Sequence, residues 1–184
     1  TEKFFGSQYD MHGASRDLIF PHHEAEIAQM ESLTGKPLVR YWLHTGFLNV
    51  KTKKMAKSLG NFITIRDALR KYDKETLRFF FISTHYRSPI DFSEKNLEKS
   101  KNSLQRIHDF VNNTKNKKDS KNVNNLIKKT KQEFIKAMDD DFDTHNTLAV
   151  VFNFIRTANK IGGGKKCCKL ILEFDKIFRI LKLE

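Results

Sequence analysis

Two short stretches of the sequence hold side chains suited to chemistry. The first is Lys54-Met55-Ala56-Lys57-Ser58-Leu59-Gly60-Asn61, in which two lysines flank a turn that contains a small hydroxyl residue and a glycine. Such a loop, set between a strand and a helix, brings two ammonium groups to a triphosphate. Most Lys-rich loops are only solvated, and the residues alone leave both readings open. The second stretch is Pro21-His22-His23-Glu24-Ala25-Glu26. On a helix, His22 and Glu26 share a face, and an imidazole nitrogen and a carboxylate oxygen at that spacing reach one Zn²⁺. Two ligands do not complete a structural zinc site, which normally has four. The same residues also suit a plain helix start, with acids set against the positive end of the dipole. General acid–base work by the two histidines finds no nucleophile nearby in sequence.

The elements that must position these groups follow from periodicity and punctuation. Residues 9–13 read as the end of a short strand running into a loop. Residues 22–33 read as a helix, with Pro21 just before it, apolar residues at Ile27, Met30 and Leu33, and a stop at Gly35-Lys36-Pro37. Residues 39–50, rich in Tyr, Trp, Leu, Phe and Val, read as one or two strands around Gly46. A basic loop follows over 51–60. Thr64 caps a helix running through Lys71, and 74–83 form a second helix with a heavily apolar face. Residues 86–92 are an extended connection containing Pro89. From Ser93 the pattern is helical, with helices near 93–113, 122–138, 144–160 and 166–181 and breaks at 112–120, 139–143 and 162–164. A boundary near residue 92 therefore separates a mixed α/β part from a helical bundle.

The chain has 184 residues and a net charge of +12. That length suffices for one ordinary domain or two small ones with a real core. Hydrophobic residues at 39% and charged residues at 30% exclude disorder over the whole length. No apolar run is long enough to span a membrane, and the N-terminus has no secretory pattern. It also lacks an initiator Met, which points to a piece of a longer chain. The stretch 95–131 holds 11 basic and 3 acidic side chains. A polyanion partner and a Lys/Asn-rich solvated surface explain that bias about equally well. The two cysteines, Cys167 and Cys168, are neighbours, so no disulfide framework exists and a reducing compartment fits. They fall at a Lys-rich helix start of surface type.

Taken in order, several segments resemble cysteinyl-tRNA synthetases, a class I aminoacyl-tRNA synthetase family. They are Asp10-Met11-His12-Gly13, Arg16-Asp17-Leu18-Ile19-Phe20-Pro21-His22-His23-Glu24, Arg40-Tyr41-Trp42-Leu43-His44-Thr45-Gly46-Phe47-Leu48, the 54–61 loop, Leu77-Arg78-Phe79-Phe80 and His85-Tyr86-Arg87-Ser88-Pro89. Ala137-Met138-Asp139-Asp140-Asp141-Phe142-Asp143-Thr144 and Leu148-Ala149-Val150-Val151-Phe152 continue the likeness, which runs from about residue 9 to 160. The resemblance implies an α+β architecture: the C-terminal part of a Rossmann-type catalytic domain over 1–50, a KMSKS loop and stem-contact region over 51–92, and a DALR-type, tRNA-binding helical bundle over 93–184.

It further implies ATP-dependent activation of L-cysteine and transfer to the 3′ end of tRNA(Cys) by a cytoplasmic, monomeric enzyme that does not bind membranes. ATP with magnesium is a substrate, and zinc is the cofactor that takes the cysteine thiolate. Carried over residue by residue, Lys54 and Lys57 are the catalytic lysines of the KMSKS loop, with Lys57 on ATP. Asp17 sits where the family approaches the adenosine. His22 and Glu26 fall on two zinc ligands. His23 and Glu24 match without a role, and His44 and Gly46 fall on a strand near the nucleotide. The tRNA-contacting residues are not assigned.

Four departures accompany the match. Ala56 stands where serine is usual, Gly13-Ala14-Ser15-Arg16 has less glycine than the family turn, and Ala25 replaces an asparagine. The HIGH motif and two cysteine zinc ligands of the N-terminal half have no counterpart. The isolated 184 residues are accordingly expected not to activate cysteine and to bind zinc weakly. A cysteine–amino-sugar ligase of thiol biosynthesis and a truncated, non-catalytic tRNA-binding relative are the alternative readings.

Overall fold

The computed structural model of the protein describes residues 2–51 and 53–181. Helix α1 (Glu2–Phe5) precedes strand β1 (Tyr9–Ser15). A 3₁₀ turn (Arg16–Leu18) and a π-helical turn (Ile19–His23) then lead into helix α2 (Glu24–Thr34). Gly35 ends α2 at φ 65°, a left-handed conformation that suits a residue without Cβ, and its N–H donates to the Glu31 carbonyl. Strand β2 (Val39–Thr45) pairs parallel to β1, with His12 opposite Trp42 and Ala14 opposite His44. β1, α2 and β2 thus make the parallel strand–helix–strand unit of Rossmann-type domains.

A second, three-stranded sheet has the order β4-β3-β5, built from β3 (Leu48–Val50), β4 (Lys53–Lys54) and β5 (Ile90–Asp91). The β3–β4 pair is antiparallel and the β3–β5 pair parallel. Between β4 and β5 lie helices α3 (Ile65–Lys71) and α4 (Lys74–Ile82). Each starts at a side-chain cap: Thr64 accepts from the Asp67 N–H, as its position in sequence predicts, and Asp73 accepts from that of Thr76. The basic loop expected over 51–60 is more ordered than a loop, since β4 and a 3₁₀ turn (Lys57–Leu59) occupy part of it.

Four helices follow: α5 (Glu94–Thr114), α6 (Val123–Asp139), α7 (Thr144–Ile161) and α8 (Lys165–Phe178). The architecture is the α+β arrangement that the sequence predicts, a Rossmann-type part followed by a helical bundle. The junction is not a bare linker. Leu97, in the opening turns of α5, is buried with Ala68, Leu77 and Phe80 in a small core that also takes in Leu48, Ile63, Ile90 and Phe92 from the second sheet and its loops. The larger core fills the bundle, and Phe79 of α4 belongs to it. No described helix is long and apolar enough to cross a membrane.

One sequence expectation is corrected here. Cys167 and Cys168 do not lie on a surface: both are buried, because α8 turns their side of the helix into the bundle core and leaves Lys165, Lys166 and Lys169 outside. Burial, reinforced by the Asp119 charge, pushes the Cys167 thiol up to about 11, and burial also raises that of Cys168. Protonated and enclosed, these thiols are core residues rather than metal ligands or nucleophiles.

The end of α8 rests on a buried carboxylate. Asp175 is 3% exposed, and its Oδ1 accepts from the N–H groups of Ile180 and Leu181 at 2.8 and 3.1 Å. Burial raises its pKa and outweighs those two hydrogen bonds. A raised carboxyl favours the fold more as pH falls, and that favour fades as pH rises through its folded value. Asp175→Ala should cost about 2 kcal/mol at neutral pH, by orphaning the buried Ile180 N–H and the half-buried Leu181 N–H. Asp175→Asn, which keeps the acceptor and removes the buried charge, should cost less than half of that. Thermal or urea unfolding of the two variants measures the difference.

Candidate active site

The lysine loop is set by backbone and amide contacts. The Met55 N–H donates to the Leu48 carbonyl at 2.8 Å, so the chain leaves β4 still attached to β3. Asn61 then braces the loop from within: its Oδ1 accepts from the Ala56 N–H at 2.9 Å, and its Nδ2 donates to the Lys54 carbonyl at 3.1 Å. Gly60, at φ 63°, closes the 3₁₀ turn that carries Lys57. Neither Asn61 contact involves the residue 56 side chain, so alanine at that position leaves the brace whole.

The two lysines differ in surroundings. Lys54 Nζ lies 2.5 Å from Asp17 Oδ2 and 4.6 Å from the centre of the Phe47 ring. Lys57 Nζ stands 5.5 Å from the centre of the Phe62 ring and has no carboxylate within ion-pair distance among the described residues. The structure therefore brings two predicted site residues, Asp17 and Lys54, into direct contact across 37 positions of sequence, and leaves Lys57 presented to solvent.

A histidine cluster occupies the face formed by β1, β2 and the start of α2. The ligating atoms of His12, His23 and Glu26 all lie within 4.8 Å of one another. His12 Nδ1 is 2.8 Å from the Tyr9 hydroxyl and 3.6 Å from Glu26 Oε2. His23, 4% exposed, shares a hydrogen bond of 2.8 Å between its Nδ1 and Nε2 of His44. Trp42 stacks on His12 and on His44, with centroids 4.9 and 5.9 Å apart, and leans on His23 at 4.7 Å. Burial, and then the positive charge that His12 would carry, push the His23 pKa down, against the opposing pull of Glu26. That keeps the neutral imidazole, the form that binds metals.

Of the predicted zinc pair, Glu26 joins this cluster. His22 is exposed and lies outside it. The reason is local: the π-helical turn Ile19–His23 precedes α2, so α-helical spacing does not hold from His22 onward. His12, Trp42 and Asn61 are contributors to which sequence reasoning assigned no site role, and His44, expected on a strand near the nucleotide, joins the histidine cluster instead. A signal for three of them exists in sequence. Trp42 and His44 alternate on one face of β2, and His12 is the partner of Trp42 across the parallel pair.

The Lys54 contact, first, and a Ser15 hydrogen bond, second, hold the Asp17 carboxyl down at about 2. A depressed carboxyl favours the fold above its ordinary value of 3.8, and that contribution disappears as pH falls through about 2. In Lys54→Ala, the Asp17 carboxyl should titrate clearly higher, back toward 3.8, with the Ser15 hydrogen bond still acting to lower it. Carbon-detected NMR of the side-chain carboxyl measures this directly, and an unchanged midpoint would contradict the pairing.

Comparison with known proteins agrees with the geometry. The family described as tRNA synthetases class I (C) catalytic domain matches residues 1–102, and the DALR domain matches residues 133–182. A cysteine–tRNA ligase of Geobacter metallireducens is 44% identical over 194 residues, which cover 97% of this chain and 40% of the relative. That of Bacillus cytotoxicus is 42% identical over 100% of this chain and 42% of the relative. That of Thermococcus onnurineus is 43% identical over 87% of this chain and 36% of the relative. The chain thus spans about two-fifths of the length of the curated relatives that it matches. Among solved structures, an Agrobacterium radiobacter LeuRS in a ternary complex with tRNA and LeuAMS superposes with a TM-score of 0.65 at 12% identity, covering 87% of this chain and 23% of its own. The Mycobacterium tuberculosis methionyl-tRNA synthetase bound to methionyl-adenylate gives 0.61 at 19% identity, covering 83% of this chain and 33% of its own. Those two likenesses concern the fold; the family model over residues 1–102, together with the motifs around the lysine loop and the histidine cluster, shows that this chain belongs to the cysteinyl-tRNA synthetases.

Proposed function

We propose that the chain works as the lysine-loop and helical-bundle portion of a cysteine–tRNA ligase, an enzyme that forms cysteinyl-adenylate from L-cysteine and ATP and transfers the cysteinyl group to the 3′ end of tRNA(Cys). The observation that carries this reading is the unequal pair of lysines. Lys54, neutralised by Asp17, orients the loop, while Lys57 keeps an unopposed ammonium on a 3₁₀ turn.

In adenylate formation, the cysteine carboxylate attacks the α-phosphorus of ATP and pyrophosphate leaves with growing negative charge. Lys57 meets that charge more strongly in the transition state than in the ground state, which lowers the barrier. Asp17 holds Lys54 at the edge where the nucleotide enters and contributes to ATP binding from the same place. Magnesium accompanies ATP as part of the substrate.

Zinc is the proposed cofactor, and the donors suit it. Imidazole nitrogens and a carboxylate oxygen are ordinary zinc ligands. Glu26 is common to both candidate donor sets, one with His22 and the other with His12 and His23. The His44 bond to His23 and the stacked Trp42 orient the imidazoles, as outer groups around a metal do. A zinc ion, when bound, supplies a Lewis acid that accepts a thiolate and discriminates against the serine hydroxyl. The basic bundle is the proposed tRNA-facing part, and the enzyme is read as a cytoplasmic monomer.

Two measurements test this. In the ligase, Lys57→Ala should slow cysteine-dependent ATP–pyrophosphate exchange by about 10²–10³-fold, as expected for one preorganised donor, with little change in the KM for cysteine. Ala56→Ser should be nearly neutral. An intact exchange rate in Lys57→Ala, or exchange without any tRNA charging, would reject the reading. Binding of tRNA by the Lys-rich bundle should weaken steeply with salt, because lysine contacts phosphates as a point charge. A fluorescence titration across salt concentrations that gave a flat affinity would remove the bundle from the RNA interface.

A further inference from the structure

The Asp139–Asp143 corner between α6 and α7 makes contacts that the proposed chemistry leaves unused. Asp141 accepts from Arg87 through both oxygens, at 2.5 Å to Nε and 3.1 Å to Nη2. It also accepts from the Tyr86 hydroxyl at 2.6 Å. His85 Nε2 stands 3.8 Å away. Three consecutive residues of the α4–β5 connection thus converge on one carboxylate of the bundle. The corner is built for it. Asp141 and Phe142 both adopt left-handed backbone, at φ 54°, and the next carboxylate, Asp143, accepts from the Asn146 N–H and starts α7. His145, the second residue of α7, hydrogen-bonds the Ser83 carbonyl at 2.8 Å, so the same connection is held at its beginning as well.

From that connection a short path leads to the lysine loop. The Tyr86 carbonyl accepts from the Gly46 N–H at 2.7 Å. Gly46 runs so close to Ser88 that a Cβ on it would lie 2.3 Å from the Ser88 backbone. Phe47 follows, its carbonyl bonded to the Ile90 N–H at 2.9 Å and its ring beneath the Lys54 ammonium. Leu48 then accepts from the Met55 N–H, inside the loop itself.

We propose that Asp141 is a positioning residue for the lysine loop: by clamping Tyr86 and Arg87 it seats the 85–89 segment against Gly46, and so fixes the β3–β4 hairpin that presents Lys54 and Lys57. The bidentate guanidinium–carboxylate pair sets both distance and angle, which a single hydrogen bond does not. Part of the bundle thereby takes part in placing the nucleotide-facing lysines. The catalytic consequence rests on the ligase reading. The placement itself does not, and it is testable without turnover.

The test is amide hydrogen exchange on the 184-residue chain and on two variants, Asp141→Ala and Arg87→Ala, each at an exposed position. Both should accelerate exchange at Gly46 and Met55 by about tenfold or more, as local opening does when a charge-assisted anchor is lost. Buried amides of α5, α7 and α8 should keep their parent rates. The double variant should add little to either single one, because the two side chains act as a pair. The Asp17 carboxyl titration, which reports where the Lys54 ammonium sits, should move upward in both variants, and Asp141→Asn should fall between parent and alanine. Parent rates at Gly46 and Met55, equal acceleration throughout the bundle, additive effects in the double variant, or an unmoved Asp17 would each overturn the proposal. A ligase assay that failed with parental protein would leave these outcomes readable.

Discussion

The structure depends on α4 being buried on two opposite sides. Leu77 and Phe80, three residues apart, share one face and lie in the small core with the second sheet. Phe79 lies about 200° around the helix from Leu77 and enters the bundle core, where it meets Phe152 edge-on at 6.4 Å. Burying a phenylalanine side chain is worth roughly 1.5–3 kcal/mol, so one short helix secures two cores at once. Arg78, between them and outward, donates to the Phe178 carbonyl and ties down the end of α8. Rotation of α4 by half a turn would take Leu77 and Phe80 out of the small core and Phe79 out of the bundle core.

That double burial explains why the lysine loop can be both placed and exposed. Lys54, Lys57 and Ser58 all face solvent, yet the loop's backbone is held by the Met55–Leu48 bond and the Asn61 brace. The residues that frame it, Leu48 and Ile63, pack against the small core. Rigidity comes from backbone and apolar contacts, and the ammonium groups remain available. Lys54 gives up part of that availability to Asp17 and gains a fixed position.

Much of this was legible in sequence because it is local. The starts of α3 and the four bundle helices lie within a residue or two of where caps, glycines and apolar periodicity predict them, and Thr64 caps as its spacing to Asp67 suggests. The lysine loop, too, is a contiguous motif. What sequence did not carry is what depends on distance along the chain. Asp17 meeting Lys54, Asp141 meeting Arg87 and His44 meeting His23 each join separate elements. The cysteines misled because the lysines around them suggested a surface, whereas helical periodicity directs Cys167 and Cys168 inward with Leu170 and Ile171. The grouping of His12 and His23 with Glu26 was likewise not visible in the α-helical spacing of His22 and Glu26, because that segment begins with a π-helical turn.

In so basic a chain, at +12 overall, the electrostatics of the histidine cluster are set locally. Long-range repulsion from surface lysines is screened within roughly 10 Å at ordinary ionic strength, so the local groups decide. Three imidazoles packed around one indole would repel a metal if they were protonated. Burial and mutual repulsion act against that charge at His23, the most enclosed of them, and leave Glu26 as the carboxylate beside the ring nitrogens. Trp42, leaning on His23, is part of the burial that disfavours the charged form of that ring. The aromatic packing is therefore part of the electrostatics of the site: it favours the neutral imidazole at His23, beside the Glu26 carboxylate.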